Sequence, residues 1–146
     1  MEKDVEYKKT IEIVLEKHFN NYSYSNFNPL LVLKDIFGEY EYVFSDTIYA
    51  RHPDGERFYV IHGNFISEVW RNQGKFKIKS SHLSGAELDV TKEHQFHSGF
   101  ELNIHLANQE IITFNARSMF GNETNQVVED HAQLFEDIYR HILKVA

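Results

Sequence analysis

The sequence contains no cysteine. A disulfide framework, a thiolate nucleophile and a cysteine-ligated zinc site are therefore excluded. Glycine is sparse, with 7 residues in 146, and neither a Gly-x-Gly-x-x-Gly run nor a Walker loop occurs. No glycine-rich phosphate cradle can be built from so few. His-Glu-x-x-His and Gly-x-Ser-x-Gly are also missing, which removes the specific signatures of zinc proteases and of serine hydrolases with a nucleophile elbow. No cofactor and no metal are expected. No stretch approaches the roughly 20 apolar residues of a membrane span. The opening MEKDVEYKK is charged, without an apolar run of signal-peptide type. A cytoplasmic location is the resulting expectation. Positive charge is in deficit too, since 15 Lys and Arg against 22 Asp and Glu leave a net charge of -7. That opposes nucleic acid as a partner and makes a membrane surface an unfavourable one, because both need a basic face.

Aromatic residues are abundant, with 12 Phe, 8 Tyr and 1 Trp. They favour pleated, half-buried surfaces and tilt the composition towards β structure. A length of 146 residues argues for one domain with a single core. The hydrophobic period divides it into three parts: a helical extension over 1–38, an antiparallel sheet over 39–117 and a capping helix over 124–145.

In the first part, Tyr7, Ile11, Val14, Leu15 and His18 recur at helical spacing, with Asp4 as N-cap. The Asn- and Ser-rich stretch 20–28 reads as a loop. A short second helix follows, capped by Asn28, opened by Pro29 and stopped by Gly38. Leu30, Leu31, Val32, Leu33, Ile36 and Phe37 make it apolar nearly all round, so burial on most sides is expected. Beyond Gly38 the period is two. Pro53-Asp54-Gly55, Gly63-Asn64, Asn72-Gln73-Gly74 and Asn108-Gln109 are turn signals between short apolar or alternating runs. About seven strands emerge, and their short connections require antiparallel pairing. Arg117 to Thr124 reads as a loop. Val127, Val128, His131, Leu134, Phe135, Ile138, Ile142 and Leu143 then form the apolar stripe of a helix spanning roughly 30 Å.

A seven-strand meander closed by one helix is the order of the pleckstrin-homology (PH) superfold. Residues Arg57 to Val145 resemble small bacterial PH-like domains. Three passages carry the likeness: KFKIKSSHLSGAELDV (75–90), FELNIHLANQEIITFNAR (100–117) and DHAQLFEDIYRHIL (130–143). The resemblance implies an α+β fold in which about seven antiparallel strands form a partly open barrel. A long C-terminal helix caps it, and two N-terminal helices precede it. Such a fold carries many functions, so it assigns none.

Four sets of residues are candidates for chemistry. Arg71, Lys75, Lys77 and Lys79 cluster around one turn, with the lysines on one strand face. They suit an anionic group on a lipid, nucleotide or partner protein; the plainer reading is a charged face that prevents edge pairing. Among 9 histidines, His94 and His97 lie beside Glu93, and His82 in another loop, without a zinc-ligand pattern. His131 and His18 fall on apolar stripes, where a core histidine is the plainer account. Ser80-Ser81-His82 and Asp130-His131 are adjacent in sequence, which says little, because catalytic groups are recognised by geometry. Tyr22, Tyr24, Phe27, Tyr40, Tyr42 and Tyr49 would mark a protein-binding surface if exposed, or the packing of the extension on the sheet. The expectation is a non-catalytic interaction module that binds a protein partner or a second copy of itself as a homodimer. The alternative is a small NTF2-like enzyme or ligand binder with a His- and Asp-lined pocket. A C-terminal helix disfavours it, since such cones usually end on a strand.

Overall fold

The chain changes from helix to strand at Gly38, where a φ of 68° ends the helical repeat without Cβ strain. The computed structural model describes residues 7–9, 11–15, 29–47 (side chains from 31 onward), 55–72, 75–93 and 99–146. The expected Asp4 and Asn28 caps, the loop 20–28, the Pro53-Asp54 and Gln73-Gly74 turn residues, Tyr49, His18, His94 and His97 lie outside them. The chain falls into two compact units, Met1–Gly63 with Ser67–Lys79, and Asn64–Ile66 with Ser80–Ala146.

In the first unit, residues 7–9 and 11–15 are helical (α1). Tyr7, Ile11 and Leu15 are buried at a spacing of four, the inward stripe of an amphipathic helix. Lys8 Nζ lies 4.1 Å from the centre of the Tyr42 ring. Helix α2, Pro29–Phe37, buries Leu33 and sets Phe37 against His62 with ring centres 4.6 Å apart. Leu31 and Ile36 remain 63% and 46% exposed, so α2 is not buried on most sides. Leu33 and Phe37, one turn apart at i,i+4, form its inward ridge, and Leu31 and Ile36 fall outside it.

Strands β1 (Tyr42–Phe44), β2 (Glu56–His62), β3 (Phe65–Asn72) and β4 (Lys75–His82) follow one another in a four-stranded sheet of that order. β1 pairs antiparallel with β2, Val43 opposite Val60. It is short because Ser45 Oγ accepts the Thr47 N–H at 3.3 Å and bends the chain. Phe58, Tyr59, Val60 and Ile61 of β2 are all buried, so both faces of this strand are covered. Gly63-Asn64 joins β2 to β3, and positive φ at the glycine alone is the sign pattern of a type II′ hairpin.

The second unit holds β5 (Glu87–Lys92), β6 (Phe100–His105) and β7 (Ile111–Asn115) in a three-stranded sheet ordered β5-β6-β7. Both pairings are antiparallel, with Val90, Leu102 and Phe114 in one row and Asp89, Asn103 and Thr113 in the next. Along β6 burial alternates, Phe100, Leu102 and Ile104 inward and Glu101, Asn103 and His105 outward. Helix α3 (Ala116–Phe120) follows β7 directly, started by the Asn115 side chain accepting from Ser118 N–H. Helix α4 (Asn125–Val145) is capped by Thr124 and buries Val128, His131, Leu134, Phe135, Ile138 and Ile142. It packs over β6 and α3. Phe135 stacks on Phe114 at 5.2 Å, and each such buried aromatic contributes about 1.5–3 kcal/mol relative to exposure.

The α+β class, the seven antiparallel strands, the long C-terminal helix and the short N-terminal helices are thus as expected. Among the described residues the strands divide into two sheets, and no pairing closes them into a barrel. The sheet ends at Asn115 rather than at 117, and the expected loop 117–124 begins inside α3. A five-residue helix is too short to carry a readable period.

Candidate functional site

β4 is the last strand in its sheet order. Lys75, Lys77 and Lys79 alternate along it and are all exposed. Alternation puts their side chains on one face. On the other face Phe76 is half-buried and Ile78 is 38% exposed. The result is three cations within five residues on a chain of net charge -7. Arg71 is held differently: it lies on β3 with its side chain 20% exposed, its Nη1 3.5 Å from Glu56 Oε2. The structure therefore presents the lysines outward and engages the arginine with a carboxylate of β2.

A second polar cluster was not foreseen from the sequence. Arg57 of β2 makes a bidentate pair with Asp46, Nε donating to Oδ1 at 3.1 Å and Nη2 to Oδ2. Its guanidinium lies 5.1 Å from the Tyr59 ring centre and 5.2 Å from that of Trp70. Burial would lower the Arg57 pKa, but the Asp46 hydrogen bond and nearby negative charge outweigh it and the net shift is upward. Burial pushes the Tyr59 hydroxyl up to about 12, against the opposing pull of Arg57. Thr47 Oγ1 accepts the Arg57 N–H at 2.9 Å and ties the bend after β1 to β2. The cluster is a clamp in which the cation and the carboxylate satisfy one another. Asp46 and Arg57 stand eleven residues apart, and it is the bend after β1 that brings the carboxylate to β2.

The histidines separate by environment. His131 is 2% exposed, stacks 3.7 Å from Phe120 and donates from Nδ1 to the Val127 carbonyl at 2.8 Å. Burial holds its pKa down to about 4 against that hydrogen bond, so it is a neutral core residue. Asp130 beside it accepts instead from Gln126 at 2.8 Å, and the adjacent pair forms no dyad. Burial raises the Asp130 pKa, partly opposed by that bond. His62 Nε2 lies 2.8 Å from Ser67 Oγ. Burial lowers the His62 pKa, with the Glu41 charge opposing it. Ser67 has no exposed surface, so its hydroxyl cannot meet an external substrate. His82 Nδ1 accepts the Ser84 N–H at 3.0 Å and its ring packs edge-on to Phe65 at 4.7 Å, fixing the turn after β4.

His105 Nε2 and Asp89 Oδ2 meet at 2.7 Å on the outward face of the three-stranded sheet. The Asp89 side chain is 73% exposed, so solvent screens the pair and no desolvated acid–base site surrounds it. Among the described residues no three His, Asp or Glu side chains converge as metal ligands, and no helix is long and apolar enough to cross a membrane. No protein-family model matches the chain, and neither a curated protein nor a solved structure does.

Proposed function

We propose that this chain is a non-catalytic interaction module of PH-like type that binds a protein partner, or a second copy of itself, along the β4 edge. The observation that carries this reading is the exposure of Lys75, Lys77 and Lys79 on the terminal strand of a well-packed sheet. A terminal strand can extend its sheet by accepting a further strand, with main-chain hydrogen bonds giving affinity and alternate side chains giving selectivity. Lysines along it refuse most partners and admit an acidic one. The seven-strand meander followed by α4 supports the PH-like part of the reading, and the C-terminal helix speaks for it over the NTF2-like alternative.

A photo-cross-linking amino acid at Lys77, introduced in the living cell, tests the reading, with the same group at the exposed Glu129 of α4 as reference. The expected outcome is an adduct of one discrete size from position 77 only. Lys75→Glu with Lys79→Glu should suppress it and leave the melting temperature unchanged. Equal adducts from both positions, or none from 77, would remove the reading.

A further inference from the structure

Among the described residues four strands stand at sheet ends: β1 and β4 in one sheet, β5 and β7 in the other. β1 (YVF) and β7 (IITFN) carry no charge. β4 (KFKIKSSH) alternates cations with apolar residues, and β5 (ELDVTK) alternates anions with apolar residues. Glu87 and Asp89 are exposed on one face of β5. Its other face leaves Leu88 half-buried and Val90 37% exposed, close to the 38% of Ile78 on β4.

These two strands are consecutive, yet they belong to different sheets. The turn between them is tight. Ala86 N–H donates to the Leu83 carbonyl at 3.1 Å, and Gly85 has a φ of 76°. This closes a two-residue turn at Ser84-Gly85. Pairing continued outward from it would set His82 opposite Glu87, Lys79 opposite Val90 and Lys77 opposite Lys92. The lysines would meet an apolar residue and a like charge, which is unfavourable on a shared face. A frame in which odd-numbered residues face odd-numbered ones removes the conflict, and the observed turn cannot supply it within one chain.

We propose that β4 of one copy pairs antiparallel with β5 of a second copy in that other frame, Lys79 opposite Glu87, Lys77 opposite Asp89 and Lys75 opposite Thr91. The same register puts Ile78 opposite Leu88 and Phe76 opposite Val90, so the exposed apolar residues of both edges cover one another. Asp89 already meets His105 at 2.7 Å; a carboxylate accepts several hydrogen bonds, so a lysine joins without displacing it. The occupant is a second copy because the complementary edge, in charge and in alternation, is this chain's own β5. The inference rests on the reading of β4 as the binding edge and narrows it to self-association, which added salt should weaken.

Because the native chain has no cysteine, single-cysteine variants each carry one thiol. Lys77→Cys and Asp89→Cys, mixed under mild oxidation, should give the mixed disulfide well above the statistical share. Lys77→Cys with Thr113→Cys on β7 should not. In sedimentation velocity, Lys77→Glu and Asp89→Lys should each weaken self-association about tenfold, and the two combined in one chain should recover it. A statistical disulfide mixture, association indifferent to both reversals, or a wild-type protein that stays monomeric near millimolar concentration would overturn the proposal. The wider reading is judged separately, since cross-links from position 77 to a foreign protein would survive a monomeric result and their absence would not.

Discussion

The two units cover their sheets in different ways. In the second, β6 alternates buried and half-buried residues and α4 supplies the cover on the inward side. Its outward face is a polar lattice in which Thr113 donates to Asn103 at 2.6 Å and Asn115 to Glu101 at 3.0 Å. In the first, β2 is buried through four consecutive residues, and the polar groups that accompany it must pair internally, as Arg57 does with Asp46. A one-sided sheet can leave polar residues to water. A two-sided one must satisfy each of them, and mutations should therefore act through different terms in the two units.

The largest effects should come from the aromatic cores. Phe135→Ala and Phe58→Ala should each cost about 3–5 kcal/mol in urea denaturation, the sum of lost transfer energy and a residual cavity. Hydrogen exchange should quicken in β6 for the first and in β2 for the second.

Next is the acid sensitivity of the second unit. The His131 pKa, held down to about 4 by burial, lies below the ordinary value of about 6.5. Between these values the unfolded chain binds a proton that the folded chain refuses. Stability is therefore intact above pH 6.5 and falls as the pH is lowered towards 4, by about 3 kcal/mol in all. Subtracting the pH–stability curve of His131→Phe from that of the wild type should isolate this loss. A flat difference would mean the imidazole is not buried against Phe120.

Arg57→Met probes the first unit by leaving Asp46, with its side chain 13% exposed, without its cation. Partial solvent access moderates the penalty to about 1–3 kcal/mol. The double variant with Asp46→Asn should cost less than the sum of the two single changes, by thermal denaturation. The smallest effect is a gain. Gln109 sits at a φ of 74° in the β6–β7 turn, and Gln109→Gly should stabilise by about 0.5–1 kcal/mol, the relief of left-handed strain less the entropy of glycine.

The sequence was readable where one face of an element meets water. The stripe from Val127 to Leu143 located α4, and the alternation of Phe100 to His105 located β6, because solvent on one side enforces a period. Gly38 and Gly63-Asn64 were readable because their backbone angles restrict the residue type. α3 was not, since its start depends on one Asn115 side chain bonding Ser118 N–H. The Arg57 clamp was not either, because Asp46 reaches it from the bend after β1 and Trp70 from the neighbouring strand, contacts that only the fold creates. The apolar residues of α2 misled in the other direction: they implied burial on most sides, while Leu31 and Ile36 stay exposed beside the buried Leu33. Of the candidate site, the lysine alternation was visible in the sequence; that Arg71 faces Glu56 required the fold.

Concentration-dependent hydrogen exchange tests the pairing of β4 with β5 between copies most directly. As the protein is raised from micromolar to near-millimolar concentration, amide protection should grow along residues 75–80 and 87–92 together and stay constant along β1 and β7. Protection that does not change with concentration, or that grows along β1 or β7 instead, would contradict the account.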